Sequence, residues 1–330
     1  VGNSHNSAPV ALLEKVAPDS EGVVKLVHDV AGVEHVTEAA VISTCNRIEI
    51  YAEVDRFHGS VEELSRLLVQ QADEPVEGLL PNLYVHYDDG AVSHLFQVAA
   101  GLDSMAVGEG QILGQTRDAL RLGQELGTVG PALNVLFQQA LRVGKRSRAE
   151  TDIDRVAPTL VTAALSRTSA GARDLSGHRA LVVGAGTMAG LATATLSRLD
   201  AAEVTVVNRT LDRAERLATE YGARSADLAD LPALLAKADV VIACAGASGL
   251  LITREMAEQA RVDGRRMVFV DLALPHDVDP AVAELPNVTR IDLVALASEL
   301  QDTEAGKEVD EVRRIVAEEG AAFLAARRSA

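Results

Sequence analysis

The residue best placed for covalent chemistry is a cysteine at the end of an apolar segment. Cys45 follows the apolar run that ends at Ile42, and polar residues such as Arg47 and Glu49 begin there. In an extended chain Cys45 and Arg47 share one face, and a neighbouring guanidinium favours the reactive thiolate. On residue chemistry alone, a buried and inert Cys45 remains an equal alternative. The other cysteine, Cys244, lies within an apolar run, which is typical of an ordinary buried side chain.

A glycine motif follows an apolar segment and opens a helical one. Gly184 comes directly after the run 180–183 and permits a tight turn, while Gly186 lets the backbone approach a pyrophosphate. Ala189 allows the helix to pack closely on the strand. A turn that only joins a strand to a helix is the alternative. The predicted cofactor-binding residues of this loop are Gly184, Gly186, Thr187, Met188 and Ala189.

The end of the next strand predicts which nicotinamide cofactor is bound. Asn208, Arg209 and Thr210 stand where an enzyme that uses NAD usually carries an acid for the ribose 2′-hydroxyl. A guanidinium at Arg209 instead favours a 2′-phosphate through charge-assisted hydrogen bonds. We therefore expect NADPH as the cofactor and these three residues as part of its site, with a solvated Arg209 as the alternative.

A reactive thiol and a nicotinamide cofactor in one chain indicate a particular reaction. An acyl group transferred to sulfur becomes a thioester, which is electrophilic enough to accept hydride. The product of that step is an aldehyde.

Composition limits the classes of protein to consider. The 330 residues carry 31 Lys and Arg against 48 Asp and Glu, a formal net charge of −17, which argues against a general nucleic-acid binder. The apolar runs fall well short of the roughly 18 to 20 residues that a membrane span needs. Two distant cysteines without metal-ligand spacing predict neither a disulfide framework nor a zinc site, and they fit a reducing cytoplasm.

The elements that must position these residues change character along the chain. Short β-rich runs and an amphipathic stretch up to about residue 87 predict an α/β sandwich, with strands at 40–43, 48–54 and 83–87. Residues 91–149 have helical periodicity, with a break at 127–131. Apolar strands at 180–183, 203–207, 240–243 and 267–271 alternate with helices, which predicts a doubly wound parallel sheet of the Rossmann type.

The predicted fold is therefore α/β with three parts. Residues 1–153 form a catalytic and substrate domain, and residues 154–291 form an NADPH-binding domain. Residues 292–330 are predicted to be helical, with an apolar stripe that has no packing partner in the remaining sequence.

Several longer motifs resemble one family, glutamyl-tRNA reductase. They are Ser43–Glu49, Gly101–Gln115, Gly144–Arg146, Gly184–Gly186, Val207–Thr210 and Asp271–Pro275, and their order and spacing match over nearly the whole chain. The resemblance implies NADPH-dependent reduction of glutamyl-tRNA to glutamate 1-semialdehyde, the first step of the five-carbon route to 5-aminolevulinate and tetrapyrroles. It also implies that residues 292–330 are the start of a long C-terminal helix.

The resemblance also implies roles for individual residues. Cys45 matches the nucleophile of the family, and His94 matches an active-site histidine that would polarise the ester carbonyl or protonate the leaving ribose oxygen. Arg47 would bind the carboxylate of the substrate. If the resemblance is set aside, the alternative is that His94 is an ordinary histidine of a helix surface or of the core. The predicted substrate-binding residues are Thr44, Arg47, Ser104, Glu109 and Gln111, of which the last two could equally be helix-capping residues.

The expected partners follow from the same resemblance. Arg142, Lys145, Arg146 and Arg148 form the best candidate for a tRNA phosphate patch, although a solvated helix face is nearly as plausible an interpretation. An aminomutase would receive the aldehyde, and the family forms homodimers through a C-terminal helical domain that is predicted to be absent from this chain. No metal is expected.

Three departures from the family pattern bear on these expectations. Asn6 stands where the family usually has Arg or Lys, which removes a positive charge near the substrate. His276 stands where Arg commonly follows the Asp-Leu-Ala-x-Pro motif, and the chain ends at Ala330. A paralogue that reduces another aminoacyl-tRNA, and a non-catalytic NADP-binding relative, are the alternatives to a glutamyl-tRNA reductase.

Overall fold

The computed structural model describes residues 1–8, 12–13, 16, 18–44, 46–70, 78, 80–167, 175–247, 249–261, 263–273 and 276–329. Cys45, the predicted nucleophile, lies outside the described residues, as do Leu274 and Pro275. The chain divides into two units, Val1–Asp154 with Lys307–Ala330, and Arg155–Gly306.

The first unit combines one small sheet with helices. Its elements are β1 (Gly2–Ser4), α1 (Ser20–Ala31), β2 (Val36–Ser43), β3 (Arg47–Val54), α2 (Phe57–Gln70), α3 (Asp89–Ala99), α4 (Gln111–Glu125) and α5 (Pro131–Glu150). The sheet is antiparallel in the order β1-β3-β2, with Gly2 opposite Glu49 and Ser43 opposite Ile48. The central strand is therefore the one that begins two residues after Cys45.

Alternation along β3 separates two kinds of side chain. Ile48 and Ile50 belong to an apolar core that also includes Leu26 of α1 and Leu68 of α2. Because neighbouring residues of a strand point to opposite faces, Arg47, Glu49 and Tyr51 share the other face, where the Tyr51 ring meets the Phe137 ring of α5 edge-on at 5.5 Å. A polar row is thus buried on one side of a strand whose other side is apolar.

The prediction of a strand at 83–87 was wrong. Only one isolated bridge forms there, between Gly2 and Tyr84, and the strand that does complete the sheet is β1. Two backbone hydrogen bonds join Tyr84 to Gly2, and the phenol of Tyr84 donates to the carboxylate of Glu49. One backbone pair and one side-chain contact thus hold this segment where a longer ladder was expected. The helical region with a break before Pro131 is confirmed by α4 and α5.

The second unit contains a six-stranded parallel sheet. Its elements are α6 (Val156–Ser166), β4 (Arg179–Val183), α7 (Thr187–Arg198), β5 (Glu203–Asn208), α8 (Leu211–Tyr221), β6 (Arg224–Asp227), α9 (Leu231–Leu235), β7 (Val240–Ala243), α10 (Arg254–Ala260), β8 (Met267–Asp271), β9 (Val288–Asp292) and α11 (Leu293–Leu300). The strand order is β6-β5-β4-β7-β8-β9, and all four predicted strands are confirmed. The two missed strands, β6 and β9, are the edges, where half of the backbone groups lack a sheet partner and the residues are more polar.

The C-terminal helix was predicted to lack a packing partner, and this expectation was wrong. Helix α12 (Glu304–Ser329) buries Val312, Ile315 and Val316, and its Phe323 ring lies 5.8 Å from the Phe96 ring of α3. Its apolar stripe therefore packs within the first unit. No described helix is both long and apolar enough to cross a lipid bilayer.

Candidate active site

A small cavity gathers most of the predicted substrate-binding residues. Thr44, Arg47, Ser104 and Glu109 line it, together with five residues that the sequence did not single out in this role: His5, Asn46, Met105, Ile112 and Gln115. The residues on either side of Cys45 thus both face this cavity. Gln111 begins α4 on an exposed turn and is not among the lining residues.

Arg47 is held by two carboxylates at the edge of this cavity. Its side chain is 2% exposed, Nη1 donates to Oε1 of Glu49 at 2.7 Å, and Nη2 donates to Oδ2 of Asp103 at 2.9 Å and to the Asp103 carbonyl at 2.5 Å. Burial alone would lower the pKa of Arg47, but the charges of Glu49 and Asp103 raise it. The guanidinium is therefore a permanent cation in a nearly closed site.

Glu49 is the acceptor at the centre of this polar row. In addition to Arg47, the Tyr84 hydroxyl donates to Oε1 at 2.5 Å, the Tyr51 hydroxyl donates to Oε2 at 2.5 Å, and Nε2 of His94 lies 2.7 Å from Oε1. Burial would raise the pKa of Glu49, yet the Arg47 charge and the hydrogen bonds from His94 and Tyr51 hold it well below its usual range. Glu49 is thus ionised at neutral pH and accepts from four side chains.

The tautomer of His94 follows from the charge of Glu49. An ionised carboxylate has no proton to donate, so Nε2 of His94 must carry the hydrogen of their 2.7 Å contact. This leaves Nδ1 as the nitrogen with a free lone pair in the neutral ring. The His86 ring stacks on His94 with centroids 4.2 Å apart. His94 does not line the small cavity but faces a second one of about 280 Å³, which is lined by Tyr84, His86 and Tyr87 among others.

The loop that carries Ser104 and Glu109 is fixed by its backbone. The Gly108 amide donates to the Gly101 carbonyl at 3.0 Å, and Gly108 has a φ of +84°. A Cβ on Gly108 would lie 1.9 Å from the carbonyl oxygen of Ile153, so no other residue fits at this position. Arg148 donates to the carbonyls of Gly108 and Glu109 at 3.0 and 2.7 Å and braces the same loop.

These contacts narrow the predicted tRNA phosphate patch. Arg148 is committed to the loop, and Arg146 is paired with Glu150, Glu318 and Glu319. Both guanidinium groups are therefore engaged within the protein, whereas Arg142 and Lys145 are exposed. Periodicity could not reveal this, because Glu318 and Glu319 are far away in the sequence.

Glu49, His94 and Asp103 are the one group of potential metal ligands that converges among the described residues, with ligand atoms within 4.8 Å of one another. The Arg47 guanidinium contacts both carboxylates and already supplies a positive charge at this place.

The glycine loop in the second unit has the geometry that a dinucleotide requires. Gly184 has a φ of +127°, and a Cβ on it would lie 2.9 Å from the Cys244 carbonyl oxygen, so glycine is needed. Gly186 caps α7, and the space around its Cα is open. A pyrophosphate can therefore approach the exposed backbone at the N-terminus of a 12-residue helix.

The other predicted cofactor residues divide into packed and accessible groups. Met188 and Ala189 are buried in the helix–sheet interface, while Thr187 lies in the first turn of α7. At the end of β5, the Asn208 side chain donates to the Thr210 carbonyl at 3.1 Å, and the exposed Arg209 has its guanidinium available to solvent. These residues fit a nicotinamide dinucleotide with a 2′-phosphate.

Asp277 is a residue of this region that the sequence did not single out. Its buried carboxylate accepts from the backbone amides of Ala245, Gly246 and Ala247 at 2.7, 3.2 and 3.0 Å and thereby fixes the loop after β7. Burial raises the pKa of Asp277 to about 6. Cys244, at the start of this loop, is buried as predicted, and burial followed by the charges of Asp277 and Asp271 raises its pKa.

The departure at His276 is compensated from another strand. Its Nδ1 lies 3.7 Å from Oδ2 of Asp271, beyond hydrogen-bond distance, while Arg290 of β9 places Nη2 3.4 Å from the same oxygen. A guanidinium thus reaches Asp271 although the residue after the motif is not an arginine.

Two family models match parts of this chain. Residues 1–151 match the family model described as glutamyl-tRNA reductase, N-terminal domain, and residues 164–299 match that of shikimate/quinate 5-dehydrogenase. Glutamyl-tRNA reductase 1 of Nocardioides sp. is 70% identical over 330 residues, which are 100% of this chain and 77% of that protein.

Two further relatives extend the comparison. Glutamyl-tRNA reductase of Streptomyces avermitilis is 54% identical over 276 residues, covering 80% of this chain and 48% of that protein. The solved structure of glutamyl-tRNA reductase from Methanopyrus kandleri is 29% identical, covers 97% of this chain and 78% of that one, and has a TM-score of 0.46. The identity with the Nocardioides protein and the family match of residues 1–151 of this chain together identify its family. The chain belongs to the glutamyl-tRNA reductases, NADPH-dependent enzymes of the first step in tetrapyrrole synthesis.

Proposed function

We propose that the chain transfers the glutamyl group of glutamyl-tRNA to Cys45 and reduces the resulting thioester to glutamate 1-semialdehyde. The observation that carries the proposal is the small cavity, where a buried guanidinium meets both sequence neighbours of Cys45, Thr44 and Asn46. Such a site pairs a nucleophile with a group that binds an anionic substrate.

In this proposal Arg47 binds the side-chain carboxylate of the substrate. Its 2% exposure leaves it weakly screened by water, so a charge-assisted pair there is stronger than one at the surface. Glu49 orients the guanidinium through Nη1, while Ser104 and Glu109 line the same cavity. A guanidinium whose second carboxylate partner has moved away would bind an acidic side chain in preference to a neutral one.

His94 is proposed to move the proton of the acyl transfer. The Cys45 thiolate attacks the ester carbonyl, the bond between carbonyl carbon and ribose oxygen breaks, and the leaving oxygen takes a proton. With Nε2 bound to Glu49, that proton would come from Nδ1 of the imidazolium. Glu49 holds the ring in place through this hydrogen bond.

The second unit is proposed to hold the reductant. Gly184 and Gly186 admit the pyrophosphate, and Arg209 binds the 2′-phosphate. NADPH, when bound, supplies the hydride that converts the thioester to the aldehyde and releases the Cys45 thiolate. A reducing cytoplasm would keep that thiol free between turnovers.

The partners of the reaction follow from its chemistry. The exposed Arg142 and Lys145 are the members of the predicted patch that remain available for tRNA phosphates. The α-amino aldehyde is reactive in water, so we propose direct transfer to an aminomutase that consumes it. A homodimer, as in the family, is a further proposal.

A single-turnover assay with glutamyl-tRNA and NADPH tests the proposal. We expect aldehyde from the unaltered protein and none from Cys45→Ser, which should still bind NADPH, because a hydroxyl is a far weaker nucleophile. Cys244→Ser is the matched control and should retain most activity. Loss of aldehyde in Cys244→Ser with activity retained in Cys45→Ser would contradict the assignment.

A further inference from the structure

The hydrogen bonds of Arg47 leave it unable to bind a second carboxylate through two parallel bonds. A guanidinium offers two edges for such binding, Nη1 with Nη2 and Nε with Nη2, and both include Nη2. Nη2 has two N–H groups, and the carbonyl oxygen and Oδ2 of Asp103 accept from it at 2.5 and 2.9 Å. A substrate carboxylate must therefore displace one of these oxygens.

The side-chain oxygen of Asp103 is the one that can leave. The carbonyl belongs to a loop fixed by the bond from Gly108 to Gly101, whereas the Asp103 side chain is 23% exposed and reaches solvent by rotation. Its other oxygen, Oδ1, accepts from Nδ2 of the exposed Asn6 at 2.9 Å. Asn6 is neutral, so no ion pair opposes the movement.

The charges at the cavity also exclude a third carboxylate beside Arg47. Glu49 and Asp103 already balance and exceed the single positive charge, and Glu109 lines the same cavity. Burial, followed by the charge of Arg47, lowers the pKa of His5 to about 4, so His5 is neutral at pH 7 and adds no cation. Like charges confined in a poorly solvated site repel strongly.

The size of the cavity leads to the same conclusion. Its volume is about 10 Å³, which is room for a single water molecule and far less than a glutamyl side chain needs. The free protein therefore lacks room for the substrate beside Arg47. Asp103 does not line the cavity, but its half-buried side chain occupies the Arg47 nitrogen that the substrate requires.

We propose that Asp103 occupies the carboxylate-binding edge of Arg47 in the free protein, and that the side-chain carboxylate of the substrate replaces it. This inference rests on the proposed role of Arg47. Asp103 is thus an internal competitor that sets the affinity for the substrate, while Glu49 remains bound to Nη1 throughout. A substrate with a neutral side chain brings no negative charge to replace that of Asp103 in the ion pair with Arg47.

The test compares Asp103→Asn and Asp103→Ala with the unaltered chain. If Asp103 competes, both variants should lower the KM for glutamyl-tRNA by about three- to tenfold at unchanged kcat, because Asn is a weaker competitor for Nη2 and Ala leaves no side-chain competitor. They should also strengthen competitive inhibition by free L-glutamate, and leave that by L-glutamine unchanged. Asp118→Asn, an exposed carboxylate on α4, is the matched control and should change neither constant.

The opposite role gives an opposite result. If Asp103 instead holds Arg47 in place for the substrate, Asp103→Ala raises KM and Asp103→Asn restores part of the loss, which overturns the inference. An unchanged KM in Asp103→Asn, the isosteric variant, overturns it equally. Absence of aldehyde from the unaltered protein would contradict the proposed function itself, and L-glutamate binding measured by calorimetry would still decide whether Asp103 competes.

Discussion

Glu49 and Asp277 are buried carboxylates, one in each unit, whose pKa values move in opposite directions. Both are essentially inaccessible to water. Arg47, His94 and Tyr51 hold the pKa of Glu49 far below its usual range, while Asp277 has only the backbone amides of the loop after β7 to offset its burial, and its pKa rises to about 6. Burial alone thus does not determine the charge of a carboxylate.

The difference shows what each carboxylate can do. A cation at hydrogen-bond distance makes Glu49 a permanent anion, so it can orient both Arg47 and His94 through hydrogen bonds. Asp277 shapes backbone and titrates near neutrality. Side chains therefore surround the Glu49 carboxylate in the first unit, whereas backbone amides surround the Asp277 carboxylate in the second.

Removing the charge of Glu49 should have the largest effect. Glu49→Gln leaves Arg47 with one carboxylate and gives His94 an amide in place of an anion, so we expect kcat/KM to fall by about 100-fold or more. NADPH affinity should be unchanged, since the cofactor residues lie in the other unit. Steady-state kinetics and NADPH titration measure the two effects.

Glu53→Gln is the matched control, because Glu53 is an exposed carboxylate on the same strand. It should retain full activity. If Glu49→Gln also retained full activity, the charge of Glu49 would not be needed for the reaction.

Changing the cation instead of the anion sharpens the comparison. Arg47→Lys keeps the charge but loses the planar pair of N–H groups, so we expect a loss of roughly tens- to a hundredfold in kcat/KM. The preference for glutamyl-tRNA over glutaminyl-tRNA should also disappear. Parallel assays measure kcat/KM for each of the two charged tRNAs. A variant that keeps its preference for glutamyl-tRNA would show that Arg47 does not bind the carboxylate.

In the second unit, one exposed side chain is expected to determine cofactor preference. Arg209→Asp removes the partner of the 2′-phosphate and supplies an acceptor for a 2′-hydroxyl, so the Kd of NADPH should rise by about tenfold and that of NADH should fall. Fluorescence titration with both cofactors measures the change. An unaltered ratio of the two constants would mean that Arg209 does not contact the ribose.

The smallest effect is expected at Asp277. Asp277→Asn weakens the acceptor of three backbone amides, so the Kd of NADPH should rise by about three- to fivefold. The raised pKa also has a signature. The contribution of Asp277 to the free energy of unfolding is complete below pH 3.8, the pKa of this group in the unfolded chain. It is lost as the pH rises through about 6, the pKa in the folded protein.

Thermal unfolding of both proteins between pH 4 and pH 7 measures that signature. The Tm of the unaltered chain, relative to that of Asp277→Asn, should fall as the pH rises across this range. A difference that does not vary with pH would mean that Asp277 is not the group that titrates.

The parts predictable from the sequence are those with a local signal. Apolar strands alternating with helices predicted β4, β5, β7 and β8, and the spacing of Gly184 and Gly186 predicted the tight turn after β4. The contacts of Glu49 with Tyr84 and His94 span 35 and 45 residues, and those of Arg47 with Asp103 span 56. No periodicity records such pairs, so the polar row could be predicted only as separate residues. The edge strands β6 and β9 lack the apolar pattern that identified the others.

Acylation of the protein in the absence of reductant tests the central claim most directly. Incubation with glutamyl-tRNA without NADPH, followed by acid quenching and peptide mass spectrometry, should show one glutamyl group on the peptide that contains Cys45, removable by hydroxylamine as a thioester is. The same adduct should be weak in Glu49→Gln and absent in Cys45→Ser. An adduct on Cys244, or turnover to aldehyde in the Cys45→Ser variant, would contradict the account.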